Sequence, residues 1–176
     1  MNSQPKENQY AFVIMPFAKK YDPVYQRIIK PAVELCEIKC KRADEDSQGH
    51  IHQQMLEKIF EANVIIADIS SFNPNVFYEL GVAHSNGSKT IMICDIENLD
   101  KVPFDIAPFR VLSYQNPEVN LKIDETIRSL SNEILRVINY ENEGIINPVQ
   151  DYKNSQSPVR SSTSLFINEL TASAEE

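Results

Sequence analysis

Two carboxylates and two amides lie close together in this chain: Asp68, Asn73, Asn75 and Glu79, in the run Ala-Asp-Ile-Ser-Ser-Phe-Asn-Pro-Asn-Val-Phe-Tyr-Glu-Leu-Gly over residues 67–81. A carboxylate can stabilise or capture developing positive charge, and an amide both donates and accepts hydrogen bonds, so the set suits a polar ligand and chemistry performed on it. The run before it, Val64-Ile65-Ile66-Ala67, is apolar and β-branched, which predicts a strand buried on both faces of a parallel sheet. Asp68 ends that strand, at the edge where open α/β sheets hold their ligands. Asn73 followed by Pro74 has the form of an N-cap and first helical residue, which gives Asn73 a structural use beside any ligand contact. The four polar residues are therefore expected in one pocket. Glu79 is expected in the early part of the helix, ionised at neutral pH under a favourable macrodipole. The plainer alternatives are a solvent-facing helical glutamate for Glu79 and a loop cap for Asp68.

The elements that must position these residues alternate along the chain. Residues 10–17, apolar from Ala11 to Met15, predict a first strand. A helix is expected from about Asp22, with Val24, Ile28, Ile29, Ala32, Val33, Leu35 and Cys36 on one stripe and a bend or break at Pro31. A shorter strand over 38–43 leads into Asp44-Glu45-Asp46, and from about His50 the pattern is helical with Ile51, Met55, Ile59 and Phe60 inward. After the strand over 64–67 come a helix from Pro74 to about Ser85 closed by Asn86-Gly87, strands over 90–94 and 110–114, and a long helix over 121–139. Gly81 and Ala83 are small enough to let the middle helix approach the sheet. This alternation predicts an α/β domain over residues 10–140, a flavodoxin-like three-layer fold with a mainly parallel five-stranded sheet. Residues 1–9 are expected to be a flexible N-terminus, and residues 141–176, rich in Asn, Ser, Gln, Pro and Glu, a flexible polar tail. The tail's apolar cluster over 164–170 either docks another protein or follows the surface.

The length of 176 residues fits one domain. With 17 basic and 25 acidic residues the net charge is -8, which argues against a nucleic-acid polymer as partner. No apolar run approaches the ~18 residues of a membrane span. The first residues lack the apolar core of a secretory signal, so a cytoplasmic protein is expected. Cys36, Cys40 and Cys94 fit reduced, packed thiols. His50 and His52, two residues apart, are poorly spaced for one ion, and no metal site is expected. Four glycines and no glycine-rich phosphate loop argue against a kinase or a nucleotide-driven motor.

Three segments together resemble a known group. They are Phe12-Val13-Ile14-Met15-Pro16-Phe17, the long motif from Asp68 to His84, and Pro103-Phe104-Asp105-Ile106 with Arg110-Val111-Leu112-Ser113-Tyr114. They resemble the nucleoside 2-deoxyribosyltransferase-like proteins of bacteria, a group related in fold to Toll/interleukin-1 receptor (TIR) domains. The resemblance spans roughly residues 10–139. It implies an enzyme of N-glycosidase type that acts on a nucleoside, a nucleotide or an NAD-like dinucleotide. It implies that Glu79 is the nucleophile or the stabiliser of an oxocarbenium-like sugar. Transferases of this group usually carry Asp where this chain has Asn73, and an amide cannot serve as a carboxylate acid or base. That departure favours hydrolysis or binding over base exchange. No metal or redox cofactor is implied, and NAD would be consumed as substrate. The resemblance also implies a homo-oligomer and a place in antiphage defence, and it leaves open a non-catalytic nucleotide-binding or signalling module.

On that reading Asp68 either contacts a ribose hydroxyl or orients a catalytic group, and Asn73 and Asn75 touch sugar or phosphate. Met15, Pro16 and Phe17 leave the first strand at the same edge, where Phe17 either walls a base or packs in the core. Lys19 and Lys20 either neutralise a phosphate or are solvated. Asp44, after the second strand, is expected to meet a ribose, and Gln54 to reach it from the next helix. His84 falls on a different helical face from Glu79 and is expected to be packing or surface.

Overall fold

The computed structural model describes residues 9–43, 51–139 and 147–156. Asp44, His50 and residues 164–170 lie outside them. Five strands form one sheet: β1 (Tyr10–Ile14), β2 (Lys39–Arg42), β3 (Val64–Asp68), β4 (Thr90–Asp95) and β5 (Val111–Tyr114). Their order is β2-β1-β3-β4-β5 and every neighbouring pair is parallel, so the sheet is wholly and not just mainly parallel. This is the flavodoxin-like order, in which the chain reverses its direction of growth between β1 and β3.

Alternation along the strands divides the core in two. Ala11, Val13, Val64, Ile66, Ile91 and Ile93 face one side, and they pack against residues 22–34 and the long helix Ile123–Asn139. Phe12, Ile14, Ile65, Ala67, Met92 and Cys94 face the other, covered by the helices Ile51–Glu61 and Pro74–Asn86. We label the helical segments α1 (22–34), α2 (Ile51–Glu61), α3 (Pro74–Asn86), α4 (Ile123–Asn139) and α5 (Pro148–Gln156). The central strand β3 is buried along its whole length, as its unbroken apolar run requires. β2 lies at the edge with Lys39, Lys41 and Arg42, a charged composition that discourages pairing with a further strand. Arg42 donates to Asp22 at 2.9 Å and lies over the Tyr25 ring, tying that edge to α1.

Pro31 acts one turn upstream of itself. Residues Tyr25–Ile29 widen into a π-turn, with the Lys30 N–H donating to the Tyr25 carbonyl five residues back. Proline has no N–H for the carbonyl four residues before it, and the wider turn accommodates that defect without ending the helix. The expected break is thus a local widening. The strand expected over 10–17 ends at Ile14, which frees Met15, Pro16 and Phe17 for the loop at the site.

Four expectations are corrected. Phe60 and Leu35, assigned to buried stripes, are exposed: Leu35 is the C-cap just past the last residue of α1, and near the end of α2 it is Ile59 that takes the buried position. Gly81 faces solvent, and a Cβ built there meets no atom within 4 Å; of the two small residues, Ala83 is the one buried against the sheet, with Val76 and Leu80. Residues 148–156, placed in the tail, form α5 against α3. Asn147 caps α5 by accepting from the Gln150 N–H, while Gln150 and Lys153 donate to the His84 and Ser85 carbonyls at the end of α3. Those are carbonyls in the last turn of α3, where the regular i+4 donors run out and the His84 oxygen has the Gly87 N–H in their place, so they can accept from a polar segment held there.

Gly81→Ala follows directly as a stabilising change. Alanine there fills open space and removes the conformational freedom of an interior helical glycine, for an expected gain of roughly 0.5–1 kcal/mol. A urea midpoint that moves upward with unchanged slope is the expected reading; a lower midpoint would show that the helix surface is contacted there.

Among the described residues, no helix is long and apolar enough to cross a membrane.

Candidate functional site

A cleft of about 230 Å³ opens at the carboxyl edge of the sheet, beside the β1/β3 reversal. Its walls come from four places in the chain. The loop after β1 contributes Met15, Pro16 and Phe17, and the turn after β2 contributes Ala43. Helix α2 contributes Gln54, Met55 and Lys58, and the first turns of α3 contribute Asn73, Asn75, Val76, Tyr78 and Glu79. The topology explains why they meet. α2 and α3 cover the same face of the sheet, and the loop after β1 emerges between the strands they follow and precede.

Glu79 is half-buried in this cleft. Burial pushes its carboxyl up from the ordinary 4.5 to about 7. The expectation of an ionised, dipole-stabilised glutamate is therefore corrected. Glu79 is the sixth residue of α3, beyond the first turn in which the macrodipole acts, so desolvation decides. Near neutral pH its carboxyl is present in both protonation states, a condition that suits either a carboxylate beside a sugar cation or an acid beside a leaving group.

Asn73 has extended backbone and its side chain accepts from the Asn75 N–H at 2.8 Å, so it is the N-cap of α3 as well as part of the cleft wall. Pro74 occupies the first helical position. Asn73→Ala is expected to cost about 1 kcal/mol through the lost cap, whereas Asn73→Asp keeps it. Thermal unfolding of both variants checks this, and equal losses would mean that the amide has another structural contact.

Asp68 does not join Glu79 in the cleft. Its side chain is fully buried, 0% exposed, behind the sheet edge. It accepts from the Ser70 N–H at 3.0 Å, from the Ser70 hydroxyl at 2.5 Å and from the Tyr114 hydroxyl at 2.9 Å. Burial holds its carboxyl above the usual range, against the lowering effect of the Ser70 and Tyr114 hydrogen bonds. Burial, with the Asp68 charge next, likewise raises the Tyr114 phenol. Asp68 is thus the anchor of a buried network joining the ends of β3 and β5. The pocket expected to hold all four polar residues holds Asn73, Asn75 and Glu79 only.

Of the remaining candidates, Met15, Pro16, Phe17 and Gln54 line the cleft, and Phe17 is exposed at its rim and not part of the core. Lys19 and Lys20 lie outside it. His84 is 4% exposed, with its imidazole pushed down to about 4 by burial, so it is neutral packing on the far side of α3. Cys94 is buried and Cys36 and Cys40 are partly so, all three as free thiols.

The sequence reading missed Lys58, Met55, Val76 and Tyr78. Spacing offered a signal for two of them: Lys58 is four residues from Gln54 and Tyr78 three from Asn75, neighbours on one helix face.

Compared with known proteins, the chain matches no family model and no curated protein at a significant level.

Proposed function

We propose that this protein cleaves, or transfers at, the N-glycosidic bond of a nucleoside, a nucleotide or an NAD-like dinucleotide, with Glu79 as its catalytic residue. One observation carries the reading: a half-buried glutamate whose carboxyl lies at about 7 faces a cleft at the sheet's reversal point. Breaking such a bond places positive charge on the sugar; the base of a nucleoside departs with negative charge, whereas the nicotinamide of an NAD-like substrate departs neutral. The ionised form of Glu79 can stabilise or capture the sugar cation, which water then resolves, its hydroxyl going to C1′ and its proton to the departing base of a nucleoside or to solvent when nicotinamide leaves; in transfer an incoming base takes the place of water. Phe17, Met15 and Pro16 offer the apolar wall that a base or nicotinamide stacks against, and Asn73, Asn75 and Gln54 offer hydrogen bonds to a sugar. The resemblance of the Asp68–His84 motif to deoxyribosyltransferase-like and TIR-like proteins supports the same chemistry. Asp68 acts in it only by holding the end of β3, as a positioning residue. Homo-oligomer assembly and a cytoplasmic role in defence belong to this proposal through the resemblance.

Incubating the wild-type protein with NAD, nucleosides and their 5′-monophosphates, followed by chromatography and mass spectrometry, tests it across a range of protein concentrations. Release of a free base or nicotinamide is the expected result and names the substrate.

Asn73 favours a second reading, a nucleotide-binding or signalling module without turnover. Its amide stands where transferases of the resembled group carry a carboxylate, and its oxygen is engaged in capping α3. Thermal stabilisation by one of these ligands with no product would support that reading.

A further inference from the structure

A second and larger cavity, about 490 Å³, opens at the same edge of the sheet and shares no lining residue with the Glu79 cleft. The loop leaving β1 divides the two, giving Met15, Pro16 and Phe17 to the cleft and Lys19, Lys20 and Tyr21 to this cavity. The cavity's inner wall is formed by buried polar side chains: Ser70 is 7% and Tyr114 5% exposed.

The protons of that wall can be counted. The Ser70 hydroxyl donates to Asp68 Oδ1 and the Tyr114 hydroxyl to Asp68 Oδ2, while Ser70 Oγ also accepts from the Asp95 N–H at 2.7 Å. Each hydroxyl carries a single proton, and the two oxygens also lie 2.9 Å apart, so Ser70 Oγ, surrounded by Asp68, the Asp95 N–H and Tyr114, is fully engaged and the outer side of the Tyr114 oxygen is what remains for a guest. What Tyr114 can offer a guest is a lone pair. The Asp95 and Glu118 carboxylates in the same lining add acceptors and negative charge. This part of the cavity therefore suits a donor, and a cationic donor best.

The exposed Lys19 and Lys20 present the opposite requirement. A simple anion would gain from them and lose to Asp95 and Glu118; a simple cation would do the reverse. A molecule that carries both charges gains from both groups.

We propose that this cavity binds a small zwitterion, with a primary ammonium on Tyr114, Asp95 and Glu118 and a carboxylate or phosphate on Lys19 and Lys20. The site is separate from the Glu79 cleft and does not depend on the reaction proposed there.

Amide NMR titration of the full chain tests this with 6-aminohexanoate and O-phosphoethanolamine, against hexanoate, hexylamine and inorganic phosphate as single-charge controls. The expected result is saturable movement of the Ser70, Asp95, Asn98 and Glu118 amides with at least one zwitterion, and no movement of Gln54, Asn75 or Glu79. Preference for one zwitterion identifies the anionic group. The controls are expected to bind at least about tenfold more weakly, as is the zwitterion to a Lys19→Ala/Lys20→Ala double variant. Both lysines are exposed, so that variant keeps the fold. Glu79→Gln is expected to bind the zwitterions as wild type does, which separates this site from the proposed enzyme. Controls that bind as tightly as the zwitterions, a lysine variant that binds unchanged, or still amides with every probe would each overturn the proposal.

Discussion

Replacing Glu79 by glutamine is expected to remove base release by ~10³-fold or more and, at the same time, to make the protein more stable above neutral pH. The rate follows from the loss of the only carboxyl group among the described residues that line the cleft. The stability follows from linkage. Glu79 titrates at about 7 in the folded protein against an ordinary 4.5, so between those values the folded state holds more protons than the unfolded state. Stability from this group is complete below about pH 4.5 and is lost as the pH rises through about 7. Glutamine keeps the shape and cannot ionise, so the variant's advantage grows across that window and levels off above it. A shift of this size corresponds to ~3 kcal/mol for a fully desolvated group, and partial exposure reduces the expected gain to about 1–2 kcal/mol. Urea unfolding of both proteins at several pH values checks it. Parallel pH profiles would show that Glu79 is solvated and has no special place in the cleft.

Asp68→Ala should act through the fold. It leaves the Ser70 N–H, the Ser70 hydroxyl and the Tyr114 hydroxyl without their acceptor in a buried region. Each buried donor left unsatisfied costs about 1–3 kcal/mol, part of which the 2.9 Å contact between Ser70 and Tyr114 recovers. The expected net loss is about 3 kcal/mol. For a chain of this size that lowers the melting temperature by roughly 6–12 °C. Asp68→Asn retains one oxygen acceptor and should lose about half as much. Calorimetry distinguishes this from a direct role: an Asp68→Ala protein that melts normally yet fails in turnover would place the carboxylate on the substrate.

How far the sequence could be read depended on the range of the forces involved. The strands were legible because β1, β3 and β4 are continuous apolar runs, and a run of that kind has one stable use in an alternating chain. The cap of α3 was legible in Asn73-Pro74, where the signal lies in two adjacent residues. The same pair recurs as Asn147-Pro148 at the start of α5, yet the polar composition around it pointed to a tail. What holds α5 is a set of hydrogen bonds to carbonyls at the end of α3, more than sixty residues earlier. Asp68 was misplaced for a related reason. Its partner Tyr114 lies 46 residues on, and only the β3-β4-β5 register brings the two strand ends together. Glu79 was placed correctly in the cleft, but its protonation was not legible, because helix position is local while desolvation depends on what α2 and the loop after β1 bring over it. The cleft was recovered through Met15, Pro16, Phe17, Gln54, Asn73, Asn75 and Glu79.

Comparison of wild type with Glu79→Gln in the presence of NAD, nucleosides and nucleoside 5′-monophosphates, read by mass spectrometry of the released base, tests the central claim most directly. The account predicts a free base or nicotinamide from wild type and none from a variant that folds and still binds the same ligand. Equal release by both proteins would contradict it, since the carboxyl at position 79 would then have no part in breaking the bond.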